Sequence, residues 1–219
     1  MASSDLNIRQ LILVPAVITL GVTALRLVGE LNNWAPALFS REAGGGGAIV
    51  GISWLPIIFG VYFALKLAKA GHGPANGWKV AGFSLLAMVV IAIGMAGASA
   101  IGSSPALPLV GGAIGSVLAL FVLSKGWPEL FKTLVGYAFA ARIPVVILML
   151  FAILDDWGTH YDAPAPGAPA MAPFVEWIMV GIVPQMTFWI AFTVLVGNLF
   201  GGVAVALAGK GTKQAAPAA

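Results

Sequence analysis

The sequence predicts an all-α integral membrane protein, a bundle of six transmembrane helices whose last member is long or broken. Three observations carry this. Of the 219 residues, 60% are hydrophobic and only 9% are charged, against about 25% charged in an ordinary soluble domain. The charges are widely spaced, and residues 10–25, 43–65, 80–124 and 177–209 contain none, whereas a bilayer core needs about 20 apolar residues of helix. The apolar runs are also continuous. That excludes the alternating strands of a membrane barrel and leaves the helix to satisfy every backbone group in lipid.

The first span, 9–29, follows a single Arg as a signal peptide would, but no A-x-A-like site closes it, so it reads as an uncleaved helix. In the next segment, "NNWAPALFSREAGGGG", Asn33 suits a cap, Pro36 a first turn and Gly44 the position past an end. This predicts a short interfacial helix in the first outer loop, with the four glycines as a hinge or close turn. The second span, 48–69, ends at Lys66 and Lys69 before the turn "AGHGPANG". The uncharged stretch that follows is 45 residues long and breaks at Ser103-Ser104-Pro105 into spans 79–100 and 106–125.

The fifth span, 130–154, is interrupted only by Arg142. Residues 156–173 then form an Ala/Pro-rich outer loop whose "DAPAPGAPAMAP" favours an extended polyproline-like connector. The sixth span is 174–207, within a single polytopic domain covering 1–209, and residues 210–219 read as a short disordered cytoplasmic tail.

With six spans starting in the cytoplasm, that side receives Arg9, Lys66, Lys69, Lys79, Lys125, Lys132, Lys210 and Lys213, eight of eleven basic residues. Six of the eight acids fall on the other side. The positive-inside rule therefore predicts both termini in the cytoplasm of a cell inner membrane. Splitting the last span in two would export Lys210 and Lys213, which is why one long helix is preferred. Trp34, Trp78, Trp127, Trp157 and Trp177 fall at the expected interfaces, where an amphipathic ring is favoured.

Several chemistries are excluded. The absence of cysteine removes disulfides, thiolate nucleophiles and Cys-ligated metal. A net charge of +3 spread along the chain is no nucleic-acid footprint. No phosphate loop, zincin or nucleophile-elbow motif is present, and the GGGG at 44–47 leads into an apolar span rather than Lys-Ser/Thr. Neither enzymatic activity nor a cofactor is expected.

Two groups of residues stand out. Arg142 lies near the bilayer midplane, where insertion of an Arg costs at least about 2.5–3.5 kcal/mol, so it must face protein or water. Pro144 frees the carbonyl of Ala140 beside it, and Gln185 reaches a similar depth after Pro184. Arg142, Gln185, Trp189 and Tyr137 are candidates to line a polar cavity that binds an anionic group or gates a pathway. The competing reading is a dry contact in which freed carbonyls satisfy the guanidinium.

The second group lies at the outer face. Arg26 and Glu30 share a helical face at the end of the first span. Asp155, Asp156, His160 and Asp162 cluster in "DDWGTHYD", where a helix C-terminus disfavours anions. Arg26, Arg41 or a divalent metal on these four side chains would offset them. A solvated helix end, capped by Gly158 and anchored by Trp157 and Tyr161, is the simpler expectation, with no metal.

Gly111 and Gly115, and Gly197 and Gly201, form two G-x-x-x-G pairs that suit close helix packing, within the chain or at a homodimer or larger membrane complex. The stretch "SKGWPELFKTLVGYAFAARIPV" resembles the Yip1-type membrane domain, in which a short basic loop leads into an apolar helix with a Gly-Tyr and then a Pro. The resemblance covers little more than one helix. Arg142 and the three preceding spans depart from it, and no functional residue is carried over. The expectation is a small transporter or channel-like protein in the lipid bilayer. The alternatives are a non-catalytic accessory or scaffold subunit, and a metal-dependent membrane enzyme using Asp155, Asp156 and His160 at the outer face.

Overall fold

A computed structural model describes residues 7–45, 48–102, 104, 106–164 and 169–209. Among them every regular element is helical: α1 (Ile8–Leu31), α2 (Leu55–Lys69), α3 (Gly77–Ile101), α4 (Ala106–Ser124), α5 (Pro128–Asp155) and α6 (Pro173–Leu207). Five of the six are long and apolar enough to cross a bilayer, and α2 is the exception. The chain is a helical, multi-pass membrane protein. Its outward faces are the apolar stripes that lipid requires, such as Leu13, Val14 and Val17 on α1 and Ile114, Val117 and Phe121 on α4.

Local chemistry sets the helix ends. The Asn7 side chain accepts from Arg9 N (3.0 Å) and Gln10 N (3.3 Å), and Asn76 accepts from Trp78 N (2.9 Å) and Lys79 N (3.3 Å). Each side chain satisfies amides that the first turn leaves without partners. Pro56 and Pro128 occupy first turns, where a missing N–H costs nothing. The placement of Pro56 moves the start of α2 to Leu55, so residues 48–54 are irregular rather than part of a span over 48–69.

Other expectations also change. No helix forms over 33–44. Asn33 takes a positive φ of 54°, and one turn closes as the amides of Leu38 and Phe39 donate to Ala35 O, with a three-residue 3-10 turn at Ala43–Gly45. The residue that ends α5 in the left-handed region is Asp156 (φ 50°), not Gly158, and Trp157 N donates to Ala152 O at 3.2 Å. Ser103, Pro105, the centre of the Ala/Pro connector (165–168), Gly46, Gly47 and the tail 210–219 lie outside the described residues.

α6 is interrupted. Residues Trp177–Ile182 are π-helical, and Thr187 departs from helical geometry at φ −114°, ψ −79°. Pro184 supplies the physical cause, since it donates no hydrogen bond to the ladder. The half of α6 after this break, Phe188–Leu207, is the centre of the bundle and touches α2, α3, α4 and α5, while α1 packs on α5.

Small residues permit that centrality. A Cβ on Gly60 would overlap the backbone of Gly197, one on Gly201 would come within 2.8 Å of Gly60 O, and one on Gly94 would meet Gly111 O at 2.5 Å. Both G-x-x-x-G faces are therefore occupied inside the subunit, on α2 and on α3. Between them the core is filled by Phe63, Leu67, Leu130, Leu134, Ile190 and Val194. Trp127 belongs to this interior rather than to an interface; it is buried and its indole N–H donates to His72 O at 2.8 Å.

Candidate functional site

A cavity of about 270 Å³ lies between α1, α5 and the first half of α6, bordered also by Ala43, Gly44, Ile52 and Ser53 of the first loop, by His160, Tyr161 and Ala163, and by Leu109 of α4. Its deep end is Arg142 and its shallow end is Arg26 and His160. The two groups singled out in the sequence therefore border one space.

Arg142 stands fourteen residues from Pro128 and thirteen from Asp155, about 20 Å from either end of α5 at 1.5 Å per residue. It is 4% exposed. Its Nη1 donates to Gln185 Oε1 at 3.3 Å, and its guanidinium carbon lies 4.7 Å from the centre of the Trp189 ring. Neither Ala140 O nor the carbonyl freed by Pro184 accepts from it. Among the described residues Nε is buried without a partner and no carboxylate pairs with the guanidinium. Trp189 and Gln185 thus hold the fork from one face and one corner, leaving hydrogen-bonding capacity unused. Gln185 is itself steadied at Met149, with Nε2 3.9 Å from Sδ.

Tyr137 does not join this group. It is absent from the cavity wall and sits among Phe59 and Phe63, ring centroids 5.4 and 5.6 Å away, with its hydroxyl 2.8 Å from Thr19 Oγ1. The aromatic neighbours on α2 are what draw it out of the cavity.

The shallow end is a polar network. Glu30, 1% exposed, accepts from Arg26 Nε at 2.7 Å and from His160 N at 2.9 Å, and its Oε1 lies 2.6 Å from His160 Nδ1. Arg26 also donates to Ser40 O at 3.1 Å, and Arg41 donates through Nε (2.8 Å) and Nη2 to Glu30 O. Both arginines are thus engaged at Glu30 and the first loop, and do not offset Asp155 or Asp156.

Burial holds the His160 ring below its ordinary pKa, opposed by its hydrogen bond to Glu30. A neutral ring with a carboxylate at Nδ1 carries its proton there, which leaves Nε2 with a lone pair. Tyr161, expected at an interface, is buried instead; its hydroxyl donates to Thr23 O at 3.4 Å and burial pushes its phenol upward.

The remaining acids are apart. Asp162 closes its own loop, accepting from Gly158 N and Thr159 N at 2.7 Å each and from Thr159 Oγ1 at 2.6 Å. Asp155 and Asp156 are exposed at the end of α5. Among the described residues no three His, Cys, Asp or Glu side chains converge as a metal site would require.

Sequence reasoning missed Thr23, Ile52, Ser53 and Met179 in the cavity wall. Thr23 alone gave a signal, a polar residue four positions after Thr19 within an apolar span. No family model matches the chain, and neither a curated protein nor a solved structure resembles it.

Proposed function

We propose that this chain is a small transporter or channel-like protein of a prokaryotic inner membrane, with six crossings, both termini cytoplasmic, and an anion-accepting site at Arg142, Gln185 and Trp189. One observation carries the reading: a buried guanidinium at mid-depth, with no carboxylate partner among the described residues, borders a cavity that extends to the loop end of the bundle. A structural arginine in lipid is expected to be saturated by protein groups. This one borders a cavity and leaves its Nε without a partner among the described residues, which favours a ligand over a saturated dry clamp. The break in α6 at Thr187 lies two residues from both Gln185 and Trp189, and interrupted helices at mid-membrane sites are a recurring feature of transporters.

The six-crossing count rests on α2. A 15-residue helix covers about 22 Å, short of a core of about 30 Å. Its approach, however, begins beside Arg26, since a Cβ on Gly51 would lie 3.0 Å from Arg26 Nη1, and its far end reaches His72 beside Trp127, at the start of α5. Residues 48–54 supply the missing length. Irregular backbone is tolerated at such depth where it lines a cavity, and Ile52 and Ser53 do.

The test is flux. Protein reconstituted into liposomes is assayed for uptake or exchange of labelled small organic and inorganic anions, beside Arg142→Gln. Anion movement above protein-free vesicles, lost in the variant, is the expected result. Absence of flux for every anion from correctly folded protein would overturn the transport reading.

A further inference from the structure

Resting on that reading of the Arg142 site, we propose that its ligand is a small monocarboxylate with an apolar body, its carboxylate on the unused edge of the Arg142 guanidinium and its body against Val145, Met149, Met179 and Trp189. Charge, shape and surroundings each narrow the class.

Charge comes first. Of the cations bordering the cavity, Arg26 is paired with Glu30, while among the described residues no acid pairs with Arg142. His160 is held on the Glu30 carboxylate. A monoanion neutralises the deep end. A dianion such as sulfate would leave one negative charge buried without compensation, and an isolated buried charge is expensive.

The donor geometry is next. A guanidinium is a planar fork suited to two parallel hydrogen bonds with a carboxylate. Gln185 occupies Nη1 and Trp189 covers one face, so the orientation of the remaining edge is fixed before a ligand arrives. A spherical halide uses no such fork.

The walls decide the rest. Apart from the two polar ends and the hydroxyl-bearing Thr23, Ser53 and Tyr161, the wall is aliphatic, thioether and indole, with Ile52, Val145, Met149, Met179, Val180 and Trp189 supplying most of it. An apolar body gains by displacing water from such surfaces, and thioethers adapt to its shape. At about 270 Å³ the space falls below the roughly 300–1,000 Å³ of sites for drug-sized ligands, so the body is a short chain or a single ring.

The test is ligand-dependent stabilisation of the full chain, purified in mild detergent, with butyrate, hexanoate, benzoate, hexanamide, chloride, phosphate and sulfate as probes. Hexanoate and benzoate should raise the unfolding temperature saturably, with affinity improving up to about fourfold per methylene from butyrate to hexanoate. Hexanamide, which keeps the body and lacks the charge, should do nothing. Arg142→Gln should abolish the effect and Arg142→Lys should weaken it about tenfold or more, through loss of the fork; the amide comparison needs no variant and stands if either fails to fold. Equal response to hexanamide, or to hexanoate in Arg142→Gln, would overturn the proposal. Stabilisation by phosphate, sulfate or chloride that matches or exceeds hexanoate would overturn the carboxylate class while leaving an anion site. Response to no anion at all would remove the anion-site reading itself.

Discussion

Glu30 illustrates how one residue at the mouth of the cavity organises three segments. Its carboxylate joins α1 to the loop after α5, and its carbonyl holds Arg41 of the first loop. Removing one partner of a buried ion pair strands the other, at about 3–5 kcal/mol. Glu30→Ala should therefore lower the unfolding midpoint strongly, whereas Asp155→Ala, at an exposed helix end, should change it little; thermal unfolding in detergent reads both. His160 adds a pH dependence. Its folded pKa is depressed by burial, so below about 6.5 the unfolded chain binds a proton that the folded chain refuses. Its contribution is complete above that value and is lost as pH falls towards the folded pKa, with Glu30, Arg26, Asp162 and Tyr161 as its neighbours. Unfolding midpoints followed from pH 8 to 5 should decline on the acid side, and His160→Gln should flatten that part of the curve. The cost of Arg142 was legible in the sequence from its depth alone. Its partners were legible only in part, because Tyr137 answers to aromatic rings on α2 whose register no charge count reveals.

At the scale of elements, charge spacing located the long helices to within a few residues, since lipid penalises a charge wherever it falls. It failed where polar composition and turn geometry compete. The segment 33–44 has a cap, a proline and a terminal glycine in helical order, yet Asn33 adopts positive φ and a single turn results. Residues 48–54 are apolar enough for a span, but they are irregular, and Ile52 and Ser53 among them line the cavity. Helix contacts follow the glycines. A side chain at Gly197 would meet the Leu134 side chain and one at Gly60 the backbone of Gly197, so Gly60→Val should cost more than the about 1–3 kcal/mol of ordinary overpacking, because backbone cannot rotate away. Gly82 has open space around a Cβ, and Gly82→Ala should be neutral or stabilising by up to about 1 kcal/mol. Yield of monodisperse protein and its unfolding midpoint distinguish the two.

For the whole molecule, the membrane class was legible from composition, because only a lipid-facing surface tolerates so many exposed aliphatic side chains. The cavity was not. It is assembled from α1, α5, α6 and two loops that are far apart in the chain, and no local pattern encodes their meeting. The absence of cysteine makes the arrangement accessible to single-cysteine labelling. Val145 is 5% exposed on the cavity wall just beyond Arg142, while Ile143, 48% exposed, faces outward from the same helix. With Val145→Cys and Ile143→Cys in membranes, a water-soluble, membrane-impermeant thiol reagent should modify the first from the side carrying Asp155, and an anionic reagent should react faster than a cationic one of similar size. Ile143→Cys should stay unmodified. Equal inertness at both positions, or faster reaction with the cation at Val145→Cys, would contradict an anion-accepting cavity at Arg142.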